Sequence, residues 1–163
     1  MPQIVLIAHN IRSTHNVGSL FRTADGFGVH HIILSGYTPY PSIEGDDRLP
    51  HIHEKLTRQI HKTALGAESL VPFSYEPLPP LERLKHEGYR IVALEQTEGS
   101  QRLQHYSPAE KIALLIGEEV EGITADLLAA CDDFIEIDMV GQKESFNVSV
   151  ATGIALYALT TSK

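Results

Sequence analysis

The chain has 163 residues, 42% hydrophobic and 21% charged, which is ordinary for one soluble globular domain. No apolar run approaches the roughly 20 residues that cross a bilayer, and Cys131, the only cysteine, excludes an internal disulfide. Both features favour a cytoplasmic protein that does not span a membrane. The formal net charge of −8 argues against indiscriminate binding to polyanions.

Short apolar segments alternate with helix-like segments along the chain. The predicted strands are rich in Ile, Val and Leu, as buried parallel strands are, and lie at 3–8, 30–35, 89–95, 111–117 and 133–138, with a weaker candidate at 71–76. The predicted helices lie at 17–27, 54–64, 80–87, 125–130 and 145–161. This alternation predicts an α/β fold, with an open, mostly parallel sheet and helices on both faces, in a single domain covering 1–163.

Three of the predicted strands run into loops that combine glycine with polar residues. These loops are LEQTEGS after strand 89–95, GEEVEG after strand 111–117 and VGQKES after strand 133–138. In open α/β sheets, ligands bind at the carboxyl ends of the strands. The sequence therefore predicts a small-molecule site built from these loops.

Several common catalytic and cofactor motifs are absent from the sequence. No G-x-G-x-x-G follows the first strand, and the chain has neither a P-loop nor a G-x-S-x-G serine elbow. His51, His53 and His61 have no matching cysteines and fit no common zinc spacing. We therefore expect no metal.

Charge is divided unevenly along the chain. Residues 1–62 carry six Lys/Arg against five Asp/Glu and hold seven of the nine histidines, whereas residues 63–163 carry seven Lys/Arg against sixteen Asp/Glu. In the segment 48–62, four basic residues face a single acid, Glu54; they are Arg48, Lys55, Arg58 and Lys62. This segment is either a local nucleic-acid face or an ordinary solvated helix surface.

Three motifs carry the strongest functional signal, namely NVGSLFRTA, IGEEVEGI and IDMVGQKESFNVSVA. Their marker residues are Asn16, Gly18 and Arg22, then Gly117, Glu119 and Gly122, then Ile137, Met139, Gly141, Ser145 and Asn147. In this order and spacing, which cover essentially the whole chain, they closely resemble the signature motifs of the SPOUT-class RNA 2′-O-ribose methyltransferases, in the SpoU or TrmH-like branch.

The resemblance implies a C-terminal trefoil knot that holds S-adenosyl-L-methionine. It also implies a homodimer in which the arginine of the first motif acts near the partner's cofactor. The residues that would bind the cofactor are Leu94, Glu95, Gly117, Ile137, Met139 and Phe146. The residues that would be catalytic are Arg22, Asn16, Glu119, Ser145 and Asn147.

Some of these side chains also have a purely structural explanation. Ser145 at a helix start would ordinarily be an N-cap, and Asn147, at the second or third helical position, would be structural or solvated. Glu119 would favour the positive end of the helix that follows it. With all three motifs present, we expect Ser145 and Asn147 to position the ribose, the cofactor and Arg22, and Glu119 to orient Asn147 or other donors.

The implied reaction is one in-line displacement, in which a ribose 2′-hydroxyl attacks the sulfonium methyl group. It needs neither a metal nor a covalent intermediate. Because an arginine remains cationic in proteins, Arg22 is predicted to stabilise the developing negative charge on the oxygen, while an RNA phosphate helps to take the proton of the hydroxyl. Asn16 and Gly18 are predicted to shape the turn that presents Arg22.

RNA is the implied partner, and we expect no RNA-binding extension. The expected contacts are residues 9–22 and 48–62 on the dimer surface, and a small stem-loop such as a tRNA arm is favoured over rRNA. Two residues depart from the family pattern: Asp138 stands where many relatives carry proline, and Phe146 where leucine is commoner. The alternatives are a non-catalytic RNA- or nucleotide-binding module of the same fold and a base-directed RNA methyltransferase.

Overall fold

The computed structural model describes residues 1–162, and its centre is one parallel sheet. The strands are β1 (Gln3–His9), β2 (His31–Ser35), β3 (Phe73–Glu76), β4 (Arg90–Leu94), β5 (Gln101–Arg102), β6 (Lys111–Ile116) and β7 (Asp133–Glu136). They pair in the order β3-β2-β1-β6-β4-β7-β5, and every pairing is parallel. The carboxyl ends of all the strands therefore lie along one edge of the sheet.

Within the described residues, five α-helices connect and cover the strands. They are α1 (Thr14–Gly26), α2 (Pro50–Ala64), α3 (Leu81–His86), α4 (Ala125–Ala129) and α5 (Val148–Thr161), and two short 3₁₀ turns lie at Ala67–Ser69 and Leu103–His105. Along β1, alternate residues point to opposite faces of the sheet. Leu6 joins the core formed with α1, α2 and α5, whereas Ile7 joins the core formed with α3 and α4. The predicted α/β fold with helices on both faces is thus confirmed.

Helices α1 and α2 pack closely because Gly18 has no side chain. A Cβ at Gly18 would lie 2.0 Å from Thr63 Oγ1 and 2.3 Å from the carbonyl oxygen of Ile60. The prediction that Asn16 and Gly18 shape a turn is wrong, because both residues lie inside α1. Gly18 instead fixes the distance between the two helices.

Three predicted helix starts are wrong, two because of a capping side chain and one because of a proline in the first turn. α1 begins three residues earlier than predicted, because the Ser13 side chain accepts a hydrogen bond from the Asn16 N–H. α2 begins at Pro50 rather than 54, and proline is well suited to the first helical turn. α5 begins at Val148 rather than 145, because Asn147 is its N-cap.

The remaining differences at the level of elements concern single strands. The weaker strand candidate at 71–76 is a strand, β3, whereas β5 was not predicted at all. β5 has only two residues, both polar and exposed, so it carries no apolar signal. Within residues 1–162, no helix is both long enough and apolar enough to cross a membrane.

Candidate active site

A cavity of about 300 Å³ lies where β4, β6 and β7 end. Its wall is formed by the three loops that follow these strands, together with the first turn of α5. All six residues predicted to bind the cofactor line it, namely Leu94, Glu95, Gly117, Ile137, Met139 and Phe146. The three loops at the strand ends therefore meet at one cavity, as predicted, whereas no residue of the first motif lines it.

The loop after β6 folds back on itself so tightly that its glycines cannot be replaced freely. A Cβ at Gly117 would lie 2.6 Å from Ile123 Cγ1 and 2.9 Å from the carbonyl carbon of Gly122. Gly122 has φ +71, and a Cβ there would lie 2.3 Å from Glu95 Oε2. These contacts hold the backbone of the loop at the cavity wall, where it can approach a ligand closely.

Glu95 anchors this loop. Its Oε2 accepts a hydrogen bond of 2.9 Å from the backbone N–H of Ile123. Glu95 lines the cavity as predicted, but the carboxylate is partly committed to holding residues 117–123 in place. Sequence reasoning missed this role, since nothing in the spacing of Glu95 and Ile123 indicates the contact.

A hydrogen-bonded chain links the first and third motifs to the second. Asn147 Nδ2 donates to Asn16 Oδ1 at 3.3 Å, and Asn16 Nδ2 donates to Glu119 Oε1 at 3.0 Å. Glu119 thus contacts Asn16 directly and reaches Asn147 only through it. The chain runs from the start of α5, across the first turn of α1, to the cavity wall at Glu119.

Asn147 also caps α5, a role that the sequence favoured for Ser145. Asn147 Oδ1 accepts hydrogen bonds from the Ser149 N–H at 2.9 Å and from the Ser149 hydroxyl at 2.6 Å. Ser145 lies outside the helix, is exposed, and makes no side-chain hydrogen bond to residues 1–162. Because Ser145 lines the cavity, its hydroxyl is available to a ligand.

Arg22 is not part of this cavity. It lies on the exposed side of α1 and forms no hydrogen bond or ion pair with any described residue. The next residue, Thr23, faces α5, where its methyl group lies 3.5 Å from the position of a Cβ on Gly153. Arg22 is therefore exposed beside the α1–α5 contact and does not line the pocket of its own chain.

Sequence reasoning missed the apolar part of the cavity that comes from β6 and α5. Ile116, Val148 and Ala151 contribute to it. They could have been found as neighbours of motif residues.

Asp138, the departure from the family pattern, forms an ion pair with Arg102 of β5, with Oδ2 3.4 Å from Nε. Its charge at the cavity mouth is thus partly compensated.

In the basic segment 48–62, one of the four Lys and Arg side chains is already held by an ion pair. Arg48 is bound to Asp46, 2.6 Å from Nη2 to Oδ2, and its guanidinium lies 3.5 Å from the centroid of the Tyr40 ring. Lys55, Arg58 and Lys62 lie exposed on α2 without an ion-pair partner among the described residues. No group of three or more His, Cys, Asp or Glu in residues 1–162 could hold a metal ion.

Comparison with known proteins places these features in a family. The model of the SpoU rRNA Methylase family matches residues 48–157. A tRNA (guanosine(18)-2′-O)-methyltransferase of Aquifex aeolicus is 29% identical, over 94% of this chain and 67% of its own length. A 23S rRNA (guanosine-2′-O-)-methyltransferase RlmB of Nitrosomonas europaea is 31% identical, over 96% of this chain and 55% of its own length.

Solved structures agree on the fold. The TrmH/SpoU tRNA modifying enzyme of A. aeolicus superposes with a TM-score of 0.75 at 25% identity, covering 97% of this chain and 74% of that one. An AdoMet-bound rRNA methyltransferase from Sinorhizobium meliloti gives a TM-score of 0.77 at 23% identity, covering 96% and 55%.

The chain spans little more than half the length of several relatives that it matches. The match is nevertheless continuous through the second and third motifs, and the relatives' alignments extend over the first. On the family match and the shared fold, the chain belongs to the SpoU rRNA methylase family.

Proposed function

We propose that the chain is an RNA methyltransferase that transfers a methyl group from S-adenosylmethionine to a ribose 2′-hydroxyl. The observation that carries this proposal is a cavity lined by the second and third motifs, to which the first motif is tied through Asn16, hydrogen-bonded between Asn147 and Glu119. The names of the relatives, which are tRNA and rRNA 2′-O-methyltransferases, support it. A tRNA arm is the favoured substrate, and a tRNA methyltransferase is among the relatives.

The cavity fits S-adenosylmethionine in size and chemistry. Its volume of about 300 Å³ is within the range of small-molecule pockets. Leu94, Ile137 and Met139 offer apolar contact to a purine ring, and the tight loop at Gly117 offers backbone groups. When bound, the cofactor supplies an electrophilic methyl group on its sulfonium. A C-terminal trefoil knot, which the family resemblance implies, is part of the same proposal.

In this proposal a homodimer completes the site, since Arg22 is exposed and does not line the pocket of its own chain. The contact surface is an exposed apolar stripe, which consists of residues on α5 and of the residue that precedes its N-cap. Its members, each between 37% and 61% exposed, are Phe146, Val150, Ile154 and Tyr157. Their spacing of three and four residues places the three helical members on one face. A second copy packed on this stripe would lie beside Arg22 of the first.

Within such a dimer, the chain's own residues have distinct tasks. Arg22 of one copy lies near the 2′-oxygen at the other copy's cavity and stabilises its developing negative charge. Ser145 hydrogen-bonds the ribose or the cofactor from the cavity wall. Asn16 and Asn147 are positioning residues, since they hold Glu119 and the start of α5 in register. Alignment of the two reacting groups then accounts for much of the rate.

Calorimetric titration with S-adenosylmethionine tests the assignment of the cavity. We expect binding by the wild type and by Arg22→Ala. Gly117→Ala should weaken binding about tenfold or more, because overpacking of this kind costs roughly 1–3 kcal/mol. Gly141→Ala is the matched control, since a Cβ at Gly141, in the loop after β7, meets nothing within 4 Å. Folded wild-type protein that binds no S-adenosylmethionine would contradict the proposal.

A further inference from the structure

A second cavity, of about 690 Å³, opens on the same edge of the sheet. It lies beyond the ends of β1 and β2 and is bordered by the amino-terminal end of α1 and by α2. Since β1 is next to β6 in the sheet, this cleft is adjacent to the cofactor cavity. The first turn of α1 lies between them, with Ser13 and Thr14 lining the cleft and Asn16 bonded to Glu119 of the cofactor cavity.

One wall of the cleft is a fixed stack. Tyr40 lies between two neighbours, with the Tyr75 ring stacked at 4.2 Å and the Arg48 guanidinium 3.5 Å from its centroid. Arg48 is held in turn by Asp46 and by the carbonyl oxygens of Tyr40 and Pro41. The hydrogen bond to Arg48 lowers the pKa of Asp46, so the pair stays charged at neutral pH. Both faces of Tyr40 are therefore occupied.

Tyr37 is different, because its backbone is fixed while its ring is free. Its N–H donates to Asn10 Oδ1 at 3.0 Å, and Asn10 adopts a positive φ of 57° to make this contact. The next residue, Thr38, is buried; it donates to the Ala8 carbonyl oxygen and accepts from the Ile11 N–H. The ring itself is 52% exposed at the cleft. A non-glycine residue with positive φ is a strain that often accompanies a functional site.

Arg12 completes the exposed pair. Its guanidinium carbon lies 5.9 Å from the centroid of the Tyr37 ring, and it has no ion-pair partner within residues 1–162. The facing wall is α2, which contributes Leu56 and Gln59. Lys55, Arg58 and Lys62 are exposed on the neighbouring side of α2, so positive charge lies beside the cleft.

The geometry points to a binding site for an unpaired nucleotide of the substrate RNA, with its base stacked on Tyr37 and its phosphate on Arg12. This inference rests on the proposed function and extends it to a specific subsite. Exposed aromatic rings beside cations are the usual means of binding single-stranded nucleic acid, because every base has a stacking face. The flanking phosphates follow the basic face of α2. The base therefore docks next to the cofactor cavity, which holds the neighbouring ribose in reach.

Fluorescence anisotropy with a labelled octanucleotide of adenosine tests the subsite. Tyr37→Ala should weaken binding about 5- to 150-fold, since a stacked base is worth roughly 1–3 kcal/mol, and Tyr37→Phe should restore it. Arg12→Ala should also weaken binding. It should make the slope of log affinity against log salt less negative by about 0.7, as expected for one lost phosphate contact on a single strand. Tyr37→Ala should leave that slope unchanged.

A matched control and an independent signal sharpen the test. Lys111→Ala removes one positive charge at the opposite end of the strands, where Lys111 lies over Tyr89, and should leave RNA affinity within twofold. The chain has no tryptophan, so Tyr37→Trp introduces a single tryptophan whose emission can be excited apart from that of the tyrosines. Its emission should be quenched by the octanucleotide, with the same midpoint as the anisotropy change.

The outcomes separate this inference from the proposed function. Affinity for the octanucleotide that is unchanged in Tyr37→Ala, or an unquenched Tyr37→Trp that still binds it, overturns the subsite even if the enzyme methylates RNA. Wild-type protein that binds S-adenosylmethionine but neither binds nor methylates RNA overturns the subsite together with the RNA part of the proposed function. Calorimetry with S-adenosylmethionine should give wild-type affinity for Tyr37→Ala and for Arg12→Ala, because neither Tyr37 nor Arg12 lines the cofactor cavity.

Discussion

At the scale of single residues, Asn147 has two roles that a single substitution can separate. Its Oδ1 caps α5 through the Ser149 N–H, and its Nδ2 donates to Asn16. The motif predicts a functional role for Asn147, whereas the cap was expected at Ser145 rather than at Asn147. The link through Asn16 to Glu119 could not, because it joins residues 103 positions apart. Such a contact depends on where the sheet places α1.

Substitutions of Asn147 distinguish capping from function. Asn147→Asp keeps an equally good cap but loses the Nδ2 donor. We expect its thermal stability to match the wild type, while methyl transfer falls about 10- to 100-fold through misalignment. Asn147→Ala should lose activity and also about 1 kcal/mol of unfolding free energy.

Ser145→Ala is the control for the cap, measured by the same denaturation curves. Because Ser145 makes no capping bond, the free energy of unfolding should change by less than about 0.5 kcal/mol. A destabilisation by Ser145→Ala as large as that of Asn147→Ala would show that the cap is wrongly assigned. Full activity in Asn147→Asp would exclude a role for the Asn147–Asn16 contact.

At the scale of elements, apolar patterning predicted the central strands because β1, β4 and β6 are buried on both faces. Helix starts were predicted less well, since they depend on caps such as Ser13 and Asn147, which lie outside the apolar pattern. The pattern also could not reveal that Gly18 is a contact between α1 and α2, because a glycine in a helix has no side chain to read. The packing of α1 against α2 fixes the position of Arg22, on α1, relative to the basic residues of α2.

Gly18→Ala should destabilise the protein through this helix contact. The added methyl group would clash with the carbonyl oxygen of Ile60, which cannot rotate away. We expect a loss of about 1–3 kcal/mol in the free energy of unfolding, measured with urea.

Gly26→Ala is the matched change at the end of the same helix, where a Cβ meets nothing within 4 Å. It should be neutral or stabilising by up to about 1 kcal/mol, since alanine restricts the unfolded chain. Equal effects of the two substitutions would contradict the close α1–α2 contact.

At the scale of the whole molecule, the absence of Arg22 from the cavity of its own chain and the exposed apolar stripe on α5 are both explained by the proposed homodimer. The sequence of α5 resembles that of a fully buried helix, yet Val150, Ile154 and Tyr157 are exposed. Hydropathy alone cannot tell burial in the chain's own core from burial in an interface. The sequence also indicated a basic RNA face at 48–62, but Arg48 is held by Asp46 and only part of that face is free.

Mixing two inactive variants tests whether Arg22 serves the partner's cavity. Arg22→Ala keeps an intact cavity, and Gly117→Arg keeps an intact Arg22. In equal mixtures that exchange subunits, half of the dimers are mixed and each has one complete site, so activity should recover to about a quarter of the wild type. Recovery should vanish when Val150→Glu, which places a charge on the apolar stripe, is added to both chains. No recovery despite subunit exchange would place Arg22 in its own chain's site or outside catalysis.

The most direct test of the central claim is the identity of the methylated product. The protein is incubated with unmodified tRNA and rRNA transcripts and with S-adenosylmethionine carrying a labelled methyl group, and the RNA is digested to nucleosides for mass spectrometry. We predict that the label is found on the ribose of a 2′-O-methylnucleoside and is absent when Gly117→Arg replaces the wild type. Label on a base, or unlabelled RNA from protein that binds the cofactor, would contradict the account.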